Sequence, residues 1–205
     1  MNKKYICPIC GNNTLDEEPY DKNGIGTWEM CKCCSFETGM FCETPTSIDI
    51  FKQYRNIWLE KLTATQYVDD KLVKQINHIK GWMFEKNIKH SSYGEFQYCK
   101  KNLPIKELVD SQNIENWKDD SLFIEYATPI GDIFFKYYLP LLNDAHLENN
   151  KLGFDDFGIN YYNQEQTLEL YNKIKDNKNL PDRTTLLRWL KVAIEKYNGF
   201  YFLGD

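Results

Sequence analysis

Apolar residues recur at helical spacing through the middle of the chain. Ile50, Tyr54, Ile57 and Trp58 fall on one side of a segment that Thr46 or Ser47 can cap, and Val68, Leu72, Ile76, Ile79 and Met83 repeat at three- and four-residue steps in a second. Each stripe needs a core to cover it. Lys71, Lys74, Lys80, Lys86 and Lys89 lie largely off the second stripe and read as a solvated face. Lys100-Lys101-Asn102-Leu103-Pro104 is expected to end one helix and start another, because the residue before proline disfavours the α region. Residues 45–118 are therefore predicted to be a helical segment.

From about residue 119 the pattern becomes strands followed by helices. Ser121 to Ala127 alternates as a half-buried strand does, with Pro129 and Gly131 as punctuation. Ile133 to Leu139 reads as a second strand, although so short an apolar run also fits a buried helix. Gly158 to Tyr162 is a third. Asn163, with Gln166 three residues on, predicts a capped helix through Leu168, Tyr171 and Ile174, supported by Glu169 and Lys173 four apart. Asp182 after Pro181 starts another, whose core side is Leu186, Leu190, Ala193 and Tyr197. Gly199 ends it, and Phe200-Tyr201-Phe202-Leu203 forms a last strand. Residues 119–205 are thus expected to be an α+β domain, an antiparallel sheet with helices.

Residues 1–44 show neither period for long and read as a ribbon of short strands and turns. Asp21-Lys22-Asn23-Gly24-Ile25-Gly26 is a turn run, flanked by Tyr20 and by Thr27-Trp28. Gly24-Ile25-Gly26 lacks the preceding strand and following helix of a phosphate loop, so it is read as a turn.

Composition narrows the class. Hydrophobic residues make up 42% and aromatics 15% of the 205, too apolar for a disordered chain. A mean hydropathy of −0.61 and the lack of a long apolar run speak against a membrane span. The start, Met1-Asn2-Lys3-Lys4-Tyr5-Ile6-Cys7, has no apolar stretch of the secretory kind, so the expected compartment is cytoplasmic. Lysine and arginine against aspartate and glutamate number 4 to 8 in residues 1–50, 11 to 7 in 51–110 and 10 to 15 in 111–205. A net charge of −5 suits a basic partner and not non-specific nucleic-acid binding, which relies on cations at phosphate.

The strongest chemical signal is Cys7-Pro8-Ile9-Cys10-Gly11 answered by Cys31-Lys32-Cys33-Cys34. Two C-x-x-C pairs at this separation have the spacing of a four-cysteine zinc site, because each pair can turn back and aim two sulfurs at one ion. Cys7, Cys10, Cys31 and Cys34 would close the coordination sphere of a structural Zn²⁺, with Cys33 an alternative to Cys34. Gly11 can take the positive φ a metal knuckle needs after its second ligand. Reduced thiols and an odd total of seven cysteines favour metal over a disulfide framework.

Tyr5-Ile6-Cys7-Pro8-Ile9-Cys10-Gly11, Thr14-Leu15 with Glu17-Glu18-Pro19, and Trp28-Glu29-Met30-Cys31-Lys32-Cys33-Cys34 together resemble the cysteine-rich CPCC family of small bacterial zinc-ribbon-like domains. Ile9 stands where that family often has a second adjacent cysteine. The C-terminal part carries a looser resemblance. Phe154-Asp155-Asp156-Phe157-Gly158-Ile159-Asn160-Tyr161-Tyr162 and Asn198-Gly199-Phe200-Tyr201-Phe202-Leu203-Gly204 look like immunity proteins of bacterial polymorphic-toxin and contact-dependent growth inhibition systems. That resemblance implies an inhibitor that binds the C-terminal toxin domain of its own system.

No catalytic constellation emerges, and the chain is not expected to be an enzyme. His78, His90 and His146 are scattered, Cys99 and Cys42 read as buried thiols, and Glu125 with Asp132 are acids at strand ends. If the toxin is a nuclease its cleft is basic, and Asp119, Asp120, Asp155 and Asp156 with Tyr161 and Tyr162 are the candidate partner-binding residues. Only one of the two tyrosines can point outward from a strand. The competing reading is a zinc-ribbon module that binds nucleic acid or a transcription component through the basic middle segment.

Overall fold

The computed structural model describes residues 3–41, 48–65, 69–79, 81–84, 86, 93–111, 114, 120–126, 129–148 and 151–204. Thr46, Ser47, Val68, Lys80, Lys89, His90, Cys42 and Asp119 lie outside them. The fold is α+β, and the chain divides into two compact units, one up to Trp82 and one from Met83 onward.

In the first unit β1 (Tyr5–Ile6) pairs antiparallel with β2 (Asn13–Leu15). A turn follows in which the Asp21 carboxylate accepts from the Asn23 and Ile25 amides at 2.8 and 2.9 Å and Gly24 takes φ +77°, closing the bridge between Tyr20 and Gly26. Next come the short helix α1 (Thr38–Phe41), then α2 (Ile48–Thr65) and α3 (Asp70–Ile76). Trp58 and Leu59 are the buried apolar side of α2, and Val73 and Ile76 that of α3. Asp69 caps α3 by accepting from the Leu72 amide. Lys71 and Lys74 face solvent, as the pattern predicts.

The second unit is built on a six-stranded antiparallel sheet in the order β4-β3-β8-β7-β5-β6. Its strands are β3 (Tyr93–Tyr98), β4 (Leu122–Glu125), β5 (Ala145–His146), β6 (Leu152–Gly153), β7 (Ile159–Tyr162) and β8 (Phe200–Gly204). Helices α4 (Ile105–Leu108), α5 (Pro129–Tyr138), α6 (Gln164–Asp176) and α7 (Arg183–Lys196) complete it, with a 3-10 turn at Leu139–Leu141. Alternation along the strands sends Phe96, Phe200, Phe202 and Tyr162 to one face, where Phe96 meets Phe134 of α5 and Trp189 of α7 with ring centroids 6.2 and 5.9 Å apart. On the other face Cys99, Leu108, Val109, Tyr161 and Tyr201 form a second buried cluster.

Two expectations are corrected here. The helical reading of 45–118 fails at Tyr93–Tyr98, which is a strand. Phe96 and Tyr98 alternate with Glu95 and Gln97, but both sets are buried because the sheet is covered on both sides, so the polar residues do not mark a solvent face. Lys100 to Pro104 accordingly follows a strand, not a helix, before α4 begins. The strand expected at 133–139 is helix: Pro129 opens α5, and Ile130, Ile133, Phe134 and Tyr138 recur at helical steps on its buried side.

The capping box predicted at Asn163 and Gln166 is present in full, and Gly199 after α7 has φ +94°. Asp182 precedes α7 as expected but does not cap it through its side chain. It sits buried at φ +46°, where one carboxylate oxygen accepts from the Met83 and Phe84 amides at 3.1 and 3.3 Å and the other from the Thr185 hydroxyl at 2.7 Å. Asp182 thus anchors the entry of the second unit. Asp182→Ala is expected to lower unfolding free energy by about 2–4 kcal/mol, since it strips acceptors from two amides and forces alanine into a left-handed backbone. Asp182→Asn, which tolerates that backbone and keeps an acceptor, should lose less, as urea midpoints will show.

Candidate metal centre

The two cysteine pairs are built alike. In the first the Cys7 amide donates to Asn12 O at 2.9 Å and the Gly11 amide to Cys7 O at 3.0 Å. In the second the Cys31 amide donates to Phe36 O at 2.9 Å and the Ser35 amide to Cys31 O at 2.8 Å. Each loop therefore spends the residue after its second cysteine in the left-handed region, Gly11 at φ +71° and Ser35 at φ +59°. Gly11 was legible in the sequence. Ser35 was not, because nothing about serine announces a positive φ.

The result is one cluster. The Cys7, Cys10, Cys31 and Cys34 sulfurs lie within 4.8 Å of one another, with Cys7 to Cys34 and Cys10 to Cys31 each 3.6 Å apart. A disulfide would need about 2.05 Å. These separations instead suit four ligands converging on one metal ion. Cys34 is the fourth member, whereas the Cys33 thiol faces outward beside the Gln75 amide at 3.5 Å. Crowding splits the thiol acidities: the hydrogen bond with Cys31 pushes Cys10 up, and the same bond with Cys10 pulls Cys31 down.

Sequence reasoning missed what braces the first loop. Four consecutive carbonyls, Pro8 to Gly11, are satisfied by three side chains from the helical region. Arg55 of α2 donates from Nη2 to Pro8 O at 2.8 Å and from Nε to Ile9 O at 2.9 Å. Gln75 of α3 donates from Nε2 to Cys10 O at 2.9 Å, and the Nδ1 of His78 lies 3.0 Å from Gly11 O, which requires the proton on Nδ1. A Cβ on Gly11 would also collide with the Gln75 carbonyl. The ribbon and these helices are for this reason one unit, and a boundary at residue 44 cuts through it. The only sequence hint is a lone arginine on the otherwise apolar side of α2, buried to 4% exposure.

The candidate partner residues are not brought together. Asp120 is exposed just before β4, and its carbonyl accepts from the Trp189 indole at 2.8 Å. Asp155 and Asp156 are exposed between β6 and β7, at the end of the sheet where β8 finishes, opposite the end where β4 starts. Tyr161 and Tyr162 are corrected outright, since both are buried. Tyr161 lies in the Cys99 cluster with its hydroxyl donating to Asn198 O, and Tyr162 stacks on Phe200 and donates to Leu142 O. With both sheet faces covered, alternation leaves no outward side. Asp155 and Asp156 do form a defined turn. Asn160, wholly buried, accepts from the Asp155 amide at 2.7 Å and donates to the Asp155, Gly158 and Phe202 carbonyls.

The other groups are dispersed. Cys99 is buried, His78 exposed and His146 half-buried, with burial holding the His146 pKa down. Glu125 is buried on the sheet face away from α5, while Asp132 is exposed on α5, so these acids do not form a pair. No helix among the described residues is long and apolar enough to cross a membrane.

Gly11→Ala and Arg55→Met should each weaken metal retention, measured by chelator competition, and lower first-unit stability by about 2–4 kcal/mol through lost space or unsatisfied carbonyls. Ser35→Gly, which relieves a left-handed serine, should match or slightly exceed the parent. A search of family models, curated proteins and solved structures finds nothing that matches this chain.

Proposed function

We propose that the chain is a cytoplasmic, non-enzymatic immunity protein that binds and neutralises the toxin domain of its own system by covering it, with a zinc-scaffolded N-terminal unit. The four-thiol cluster carries the zinc half. Tetrahedral zinc with Zn–S near 2.3 Å requires sulfurs about 3.8 Å apart, close to the 3.6 Å of the two shortest pairs. Bound there, zinc supplies folding energy and leaves no ligand position for a substrate. Four thiolates around Zn²⁺ carry a charge of about −2, which the buried Arg55 guanidinium complements.

The binding half rests on the Asp155-Asp156 turn. Phe157 beside it is 74% exposed, and Asn160 and the Asp155 carboxylate, which accepts from the Phe157 amide at 3.0 Å, hold the backbone still. An exposed aromatic on a hydrogen-bonded turn beside two acids suits the basic cleft of a nuclease, giving contact area next to complementary charge. Nucleic acid is a poorer partner for the N-terminal unit, because Asp16, Glu17, Asp21 and Glu29 crowd one side of the ribbon.

Two experiments separate the halves. Cys10→Ser and Cys31→Ser should each lose bound zinc and melt the first unit, and unchanged zinc content by elemental analysis in both would exclude this ligand set. Coexpression with the C-terminal domain of a large secreted protein encoded beside the gene should restore growth and yield a complex, weakened at least tenfold by Phe157→Asp. Absence of both rescue and complex would end the immunity reading.

A further inference from the structure

Four of the ribbon's large apolar side chains lie outside its core. Ile6, Ile25, Trp28 and Met30 are 42, 59, 74 and 57% exposed, whereas Ile9, Leu15 and Phe36 are buried with the cysteines. Trp28 and Ile25 border a groove of about 530 Å³ whose other walls include Asp16, Glu17, Asp21 and Glu29, with no lysine or arginine among its described lining residues. The apolar part of this surface is firmly supported. Trp28 lies over Gly39, its ring 3.2 Å from where a Cβ would stand. The backbone beneath is pinned by the Thr38 hydroxyl, which contacts Pro19 O at 2.7 Å and Thr27 O at 2.8 Å, and by the Gly39 amide donating to Thr27 O at 2.8 Å.

The acids are fixed as well. Glu29 Oε2 accepts from the Asp16 and Glu17 amides at 2.8 and 2.7 Å and Oε1 lies 2.8 Å from the Asp16 amide, which holds the carboxylate in place. Lys4 beside Asp16, and the Ile25 amide at Asp21, hold those two carboxyls below their usual range, so both are charged at neutral pH. Glu17 makes no side-chain hydrogen bond among the described residues. An indole face beside several acidic side chains is the arrangement that receives a cation on an alkyl stem, through cation–π attraction and through the acids together.

We propose that this ribbon groove docks a basic segment of a partner protein, placing an arginine or lysine side chain against Trp28 and among Asp16, Glu17 and Glu29. The groove belongs to the first unit and does not depend on the toxin-binding reading, whose surface is the Asp155-Asp156 turn of the second. Each surface is separately removable.

The test uses the full-length, zinc-loaded chain and a tetra-arginine amide peptide, followed by amide and indole chemical shifts. The expected result is saturable shifts at the Trp28 indole N–H and the Ile25 and Thr27 amides. Affinity should fall when salt is raised from 0.05 to 0.5 M, since screening shortens the reach of the carboxylates. Trp28→Ala should weaken binding about threefold, the size of an exposed cation–π contact, and Glu17→Lys about as much; Glu17 is exposed and bonded through its backbone alone, so that variant tests the groove even if Trp28→Ala disturbs the ribbon. Shifts spread over acids of both units, or an affinity unchanged in both variants, would overturn the proposal. So would an RNA oligonucleotide that binds the same groove more tightly than the peptide.

Discussion

Four sulfurs cannot meet at one point unless the backbone carrying them turns sharply twice, and the rest of the first unit follows from that requirement. Each turn spends a residue in the left-handed region and withdraws main-chain groups from any ladder. In the second turn the local bonds of Cys31, Ser35 and Phe36 close the loop. The first turn exposes a row of carbonyls that its own loop does not reach, and buried acceptors without donors are costly. Arg55, Gln75 and His78 supply the donors, which explains why helices that look independent by their apolar stripes fold with the ribbon.

The second unit solves a different problem, covering a six-stranded sheet on both faces. Aromatic residues do most of this. Phe96 alone contacts the rings of Phe84, Phe134, Trp189, Phe200 and Phe202. Because β8 pairs with both β3 and β7, the last strand of the chain sits in the middle of the sheet. Phe200, Tyr201 and Phe202 are thereby placed among the buried residues of the unit.

What could be read from the sequence was what is local. The cysteine spacing, the capping box at Asn163 and Gln166, the glycine after α7 and the strand at Ile159–Tyr162 depend on neighbours a few residues apart, and the structure has each of them. The misreadings came from long-range burial. Tyr93 to Tyr98 reads as part of a helical segment, and its strand is set by long-range pairing with β4 and β8 that buries Glu95 and Gln97 as well as Phe96 and Tyr98. Tyr161 and Tyr162 look like one inward and one outward residue until both sides turn out to be core. Ile133 to Leu139 carries apolar residues at both periods, and only packing on Phe96 and Phe202 makes α5 a helix. Arg55 illustrates the same limit at the metal site, since its partners lie 46 and 47 positions away.

The bracing of Pro8 to Gly11 by three distant side chains bears on portability. Four-cysteine loops are often thought of as cassettes that can be moved between proteins, their shape owed to a bound metal alone. Here the donors stand on helices the ribbon does not contain, so a transplanted cysteine loop would arrive with its acceptors bare. Conversely, any metal held by the four thiols would tighten the grip on α2 and α3, and its removal would slacken it. Helical circular dichroism would then report the occupancy of a site that itself contains no helix.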